Sequence, residues 1–318
     1  MKGFITSVFL ACTLLSGQES SVSRTTSVDI NGHRVADGPD VVHAKSATGT
    51  TTTERLQSIN GRTVPIERIE ERVLRDDSSG RVVERTIRSF DRDGNPTPPT
   101  KETIEEQKQP DGSSTTQITT YRGDINGNMK VARRSTTQTR ISGSSQTKDT
   151  VVQEPTVNGS LETVEKQTTV KLKEVGNDYR EDTSTYRKDA NGNFVEAVRI
   201  ATAHTQQGAD ATDNTAESEI GSDGRLRLHS QTVIKTTTRT DGSADVQKDI
   251  FGQNVPGTVD TSETKMRLQE RQLIERKPGP GDSVVETVQV RRPTVSDPNT
   301  LGPARPLSQT ICRGKCDQ

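Results

Sequence analysis

Asn-Gly and Asp-Gly pairs recur along this chain at an interval that scarcely varies, and that rhythm limits the fold more than any other feature. The pairs are Asn31-Gly32, Asn60-Gly61, Asp93-Gly94, Asn126-Gly127, Asn158-Gly159, Asn191-Gly192 and Asp223-Gly224, and a weaker member falls at Gly257. Their glycines are separated by 29, 33, 33, 32, 33, 32 and 33 residues. A second set lies between them, at Gly49, Gly80, Gly112, Gly143, Gly176, Gly208 and Gly242, with spacings of 31, 32, 31, 33, 32 and 34. A fixed period of this size marks a repeat architecture. Asn-Gly and Asp-Gly favour hairpin turns because the backbone there needs positive φ.

Turns about 16 residues apart leave roughly 12 residues for each strand, longer than the usual five or six. The connecting stretches are rich in Thr and Val, and between 110 and 250 the only prolines are Pro110 and Pro155, so the composition is that of strands. Alternation predicts that Leu226, Leu228 and Ile234 share a face, with Arg225, Arg227, Gln231 and Lys235 on the other. Val83 and Ile87 share a face, with Arg85 between them, and Val284, Val288 and Val290 form a stripe. Many inward positions carry Thr, Gln or charge. Cross-strand Thr–Thr and opposite-charge pairs, each worth about 0.2–1 kcal/mol, then supply part of the stability.

The expected fold is all-β: a long antiparallel meander of about 33-residue hairpin repeats, in a thin or single-layer sheet that is open or curled. Disorder is the competing reading, because the apolar share is 27% and the mean hydropathy is -0.81. Disordered chains generally carry a large net charge. Here 43 basic and 44 acidic residues nearly cancel. The same balance gives no basic stripe, so no nucleic-acid partner is expected.

The ends differ from the middle. Residues 1–17 read as a signal peptide, with Lys2 before the apolar run from Phe4 to Leu15 and small residues at Ser16 and Gly17. A lipidated start at Cys12 is the alternative. Residues 18–27 are Ser/Thr-rich and read as flexible, 28–292 as the repeat region, and 293–318 as a Pro-rich tail. The leader's apolar run is too short to span a bilayer as a helix, and no other stretch could cross one. Cys312 and Cys316 read as a small disulfide loop in an oxidising compartment; their C-x-x-x-C spacing has no second pair or nearby His to complete a zinc site.

Tyr121-Arg122-Gly123-Asp124-Ile125-Asn126-Gly127-Asn128 returns as Tyr186-Arg187-Lys188-Asp189-Ala190-Asn191-Gly192-Asn193, with a partial copy in Asp91-Arg92-Asp93-Gly94-Asn95. Asp91, Asp93, Asp124, Asn126, Asp189 and Asn191 are therefore the candidates for calcium. An EF-hand loop needs Gly at its sixth position and a bidentate Glu at its twelfth. The ligand set is incomplete here and a hairpin turn explains the motif, so no metal and no cofactor is expected. In their Asp-x-Asn-Gly-Asn turns, these units resemble the YD repeats of secreted Rhs-type shell proteins. The chain as a whole resembles uncharacterised secreted bacterial β-repeat proteins, a likeness that implies export and brings no activity.

No catalytic constellation appears. His33, His43, His204 and His229 lie in different repeats, and Glu70-Glu71 and Glu105-Glu106 read as solvated strand or edge charge. The expected function is that of an exported, non-catalytic scaffold or binding protein, periplasmic or at the cell surface. Its partner would be an envelope glycan or protein. A lipid- or lipopolysaccharide-handling open sheet and an exported carboxylate hydrolase are the alternatives.

Overall fold

The computed structural model describes residues 19–28, 34–36, 40–45, 49–59, 62–124, 126–221, 223–253, 266–294, 296–297 and 300–314. Every element in them is a strand. In chain order these are β1 (Glu19–Val28), β2 (Arg34–Ala36), β3 (Asp40–Lys45), β4 (Thr50–Ile59), β5 (Arg62–Asp77), β6 (Gly80–Ser89) and β7 (Thr100–Lys108). There follow β8 (Ser114–Gly123), β9 (Met129–Ser142), β10 (Ser145–Pro155), β11 (Leu161–Lys173), β12 (Tyr179–Lys188) and β13 (Phe194–Gln207). The last are β14 (Asp210–Ile220), β15 (Leu226–Thr238), β16 (Ala244–Gly252), β17 (Arg267–Pro278), β18 (Ser283–Arg291) and β19 (Arg305–Gly314).

The meander expected from the turns is present, but it is neither open nor thin. From β3 to β19 each strand pairs antiparallel with the next, and β19 pairs back onto β1 from Ser21↔Gly314 to Ser27↔Ser308. On its other edge β1 carries β3 at Glu19–Ser23 and β2 at Thr26–Val28. Since β2 and β3 share one place in the ring, 19 strands make a closed barrel of 18. The segment read as flexible, 18–27, is largely β1. The tail read as Pro-rich, 293–318, contains β19. These two segments are the closing pair, and closure removes the unpaired N–H and C=O groups that an open sheet would expose at its edges.

The two sets of glycines mark the two rims. Asp93-Gly94, Asn126-Gly127, Asn158-Gly159, Asn191-Gly192 and Asp223-Gly224 join strands at one rim, and Gly49, Gly80, Gly112, Gly143, Gly176, Gly208 and Gly242 join them at the other. Asn31-Gly32, Asn60-Gly61 and Gly257 lie outside the described residues. At the first rim the loop is longer than a two-residue turn. Gly127 N–H donates to the Asp124 carbonyl and Asp124 N–H to the Asn128 carbonyl, both at 2.9 Å. With φ +80° at Gly127, this is a three-residue loop closed by a glycine bulge.

Bulges account for the curl. One residue is skipped in the ladder at Ile66, Ala132, Val164, Ala197, His229, Gln269 and Leu307, always on the strand that follows a first-rim connection. An eighth, Leu74, lies near the second rim. Each bulge sharpens local twist and bend, and the ring of them closes the sheet. His229 also corrects the alternation expected in β15. Leu226 and Leu228 share a face with Gln231 and Lys235, while Ile234 lies on the opposite face.

Little of the barrel is buried. The accessible surface of the whole chain is 21611 Å², against about 13,000 Å² for a compact protein of this mass. Among the described residues Val64, Val83, Val152 and Val290 are the buried apolar ones, and no side chain is completely enclosed. Eighteen strands about 4.8 Å apart and tilted by about 40° give a circumference of about 110 Å. A circular section would be about 36 Å across between backbones, too wide for side chains to fill. The walls are instead held by ladders and side-chain pairs. Thr25–Thr310, Thr137–Thr150, Thr169–Thr183 and Thr202–Thr215 hydroxyls meet at 2.9, 2.8, 2.9 and 3.1 Å. All four pairs lie on the face that carries Val83.

Candidate binding surfaces

Both walls are polar. On the Val83 face, Arg85 sits between Val83 and Ile87, 2.5 Å from Glu71 and 3.1 Å from Glu102. On the opposite face Arg68 meets Glu54 at 2.6 Å and Arg271 meets Asp249 at 2.6 Å. Glu71 is thus held in a cross-strand ion pair. It is not edge charge, because the closed barrel leaves β5 no free edge. Among the described residues neither face carries the continuous apolar band of a lipid-facing barrel wall. No helix among the described residues is long and apolar enough to cross a membrane.

Among the hollows set into these walls, two are well defined. The larger, about 520 Å³, lies over β15–β18 on the face opposite Val83. Its floor is two rows of register partners. One is Lys235, Gln247, Leu273 and Gln289; the other is Thr237, Asp245, Glu275 and Thr287. Asp245 and Glu275 stand directly opposite each other, an arrangement that costs stability unless compensated. Compensation comes from their own neighbourhoods: Arg239 pairs with Asp245, and Lys277 lies 2.5 Å from Glu275. Thr237 donates to Asp210 at 2.6 Å and the Gln247 amide to Asp249 at 3.0 Å. Lys235 and Gln289 have no polar partner among the described residues.

The smaller hollow, about 200 Å³, lies on the Val83 face over β5–β7. Its two arginines are held by carboxylates, Arg85 between Glu71 and Glu102, and Arg81 3.8 Å from Asp76.

A third grouping joins residues that the sequence keeps far apart. Tyr179 of β12 stacks on His204 of β13 with centroids 4.8 Å apart and planes 13° from parallel. Lys171 of β11 lies 3.6 Å from the Tyr179 ring centroid, and His204 Nδ1 is 2.7 Å from Asp213 of β14. Burial raises the Tyr179 phenol above its ordinary value, with Asp213 and Glu181 adding to the effect. The four side chains form a row across four strands. Separate repeats hid this row, since register alone brings Tyr179 opposite His204 and His204 opposite Asp213.

The candidate calcium residues are turn residues. Asp124 Oδ1 accepts the backbone N–H groups of Asn126 and Asn128, both at 2.9 Å. Asp91 does the same for Asp93 and Asn95, and Asp189 for Asn191 and Asn193. The carboxylates are turned onto their own loops. Among the described residues no group of three His, Cys, Asp or Glu side chains is gathered to hold a metal. Cys312 lies on β19, in register with Ser23 and Val284; Cys316 and the leader 1–17 lie outside the described residues.

No family model matches the chain, and no curated protein matches it. Among solved structures it is similar to a protein of unknown function from Bacteroides fragilis, at 12% identity and a TM-score of 0.21, over 57% of this chain and 91% of the other. It is also similar to CdiB from Acinetobacter baumannii, at 9% identity and a TM-score of 0.40, over 94% of this chain and 60% of the other. The chain thus spans 60% of the length of CdiB.

Proposed function

We propose that this chain is an exported, non-catalytic barrel that binds a component of the cell envelope or its surroundings through its hydrophilic walls. The carrying observation is the 520 Å³ hollow over β15–β18, where polar groups line the floor and two of them have no partner among the described residues. Regular strand spacing repeats such groups around the ring, as a scaffold would. Export rests on the leader at 1–17, and the Cys312–Cys316 bridge belongs to the same reading. Closure changes one earlier expectation: a lipid groove in an open sheet has lost its premise.

The test is a pull-down with the purified full-length secreted chain against peptidoglycan sacculi, lipopolysaccharide and outer-membrane vesicles. Retention on one of these, competed by excess untagged protein, is the expected result. Failure to be retained by any of them, or a mature N-terminus that still begins at Met1, overturns the proposal.

A further inference from the structure

We infer that the β15–β18 hollow takes an uncharged oligosaccharide, an inference that rests on the binding reading above and gives it a ligand class. Three observations carry it. First, the floor is a grid: four strands about 4.8 Å apart, with same-face residues along each strand about 6.8 Å apart. The strand spacing is close to the length of one pyranose ring, and 520 Å³ lies within the range of ligand sites. Second, the donors and acceptors are mixed and partly unengaged. Among the described residues Lys235 and Gln289 stand at the two ends of one row without partners, and the Gln247 amide nitrogen is tied to Asp249, with no protein donor bonded to its carbonyl oxygen. Hydroxyl groups, each donor and acceptor at once, match such a set. Leu273 between Gln247 and Gln289 supplies an apolar spot for a sugar's C–H face.

Third, the charge is balanced locally. Asp245 and Glu275 are neutralised by Arg239 and Lys277, so only Lys235 remains uncompensated. A polyanion would face both carboxylates, and a polycation would face three cations. The smaller hollow over β5–β7 lacks these properties: it is less than half the volume, and its arginines are already held by carboxylates.

The experiment is calorimetric titration of the full chain with cellotetraose, maltotetraose and chitotetraose, alongside tetragalacturonate and a chitosan tetramer as charged probes. At least one neutral tetrasaccharide is expected to bind with a Kd of about 1 mM or tighter. Gln289→Ala and Lys235→Ala should each weaken it by about fivefold, the size of one lost hydrogen bond. Neither residue has a polar partner among the described residues, so both variants should fold, which circular dichroism checks. Thr116→Ala, in the other hollow, should leave affinity unchanged. Absence of binding by all three neutral probes at 10-fold that concentration, tighter binding of a charged probe, or no effect of Gln289→Ala and Lys235→Ala overturns the inference. Continued retention on an envelope fraction in those cases leaves the broader binding reading standing, so the two failures are distinguishable.

Discussion

A methyl group added at Gly80 and one added at Gly127 test two different demands on glycine. At Gly80 the new Cβ would lie 1.9 Å from the Glu106 carbonyl oxygen on β7, so backbone must move. At Gly127 nothing lies within 4 Å, and only the φ of +80° resists. Gly127→Ala should cost about 1–2 kcal/mol, and Gly80→Ala clearly more; chemical denaturation of both variants checks the order. Acid should act through the turn aspartates. Ser79 holds Asp77 below its ordinary 3.8, Asn95 does so for Asp91, Ser113 for Asp111, and Lys130 for Asp124. The Arg225 N–H lowers Asp223, and Ser243 lowers Asp241. A carboxyl lowered in the folded state stabilises fully above its unfolded value, and that stabilisation fades as pH falls through the lowered folded value. The thermal midpoint should therefore hold from pH 7 to about 5 and fall below about pH 4. A midpoint unchanged down to about pH 2.5 would contradict these turn assignments. At this scale the sequence was highly legible, because Asp-x-Asn-Gly-Asn encodes its own hydrogen bonds within five residues. The Tyr179–His204–Asp213 row was not, since it depends on register between strands.

At the scale of the strand, the bulges separate what could be read from what could not. Strand positions followed from the glycines, and the shared face of Val83 and Ile87 followed from alternation. The faces of β15 did not, because His229 is an extra residue that reverses inward and outward for everything beyond it. No composition signal marks these positions: Ile, Ala, Val, His, Gln and Leu all occupy them. The one available signal was their placement. Ala132, Val164, Ala197 and His229 each follow the rim glycine by five residues, so a period of 32–33 holds two strands, two turns and a bulge. Deleting Ala197 should force Phe194–Glu196 onto the wrong faces or strain the Asn191-Gly192 loop, since a one-residue slip inverts every side chain. A lower thermal midpoint and a larger scattering radius are expected. A variant with unchanged values of both would show that the bulge does not shape the sheet.

At the scale of the whole molecule, closure is the feature that local reading missed. The turn pattern is the same whether a meander stays open or joins its ends, and the deciding segments, Glu19–Val28 and Arg305–Gly314, look like a flexible leader remnant and a Pro-rich tail. Only their pairing, 285 residues apart at Thr25 and Thr310, makes a ring. Closure explains how so polar a chain folds. With few buried apolar residues, it relies on saturating every strand edge, and losing one seam would expose two. The most direct measurement is an intrachain cross-link across that seam. In a background carrying Cys312→Ser and Cys316→Ser, the double substitution Thr25→Cys and Thr310→Cys should oxidise within the monomer. The disulfide, mapped by mass spectrometry of an unreduced digest, should join peptides from the two ends of one chain. Free thiols at both positions in the folded monomer, or disulfides found only between chains, would contradict the closed barrel.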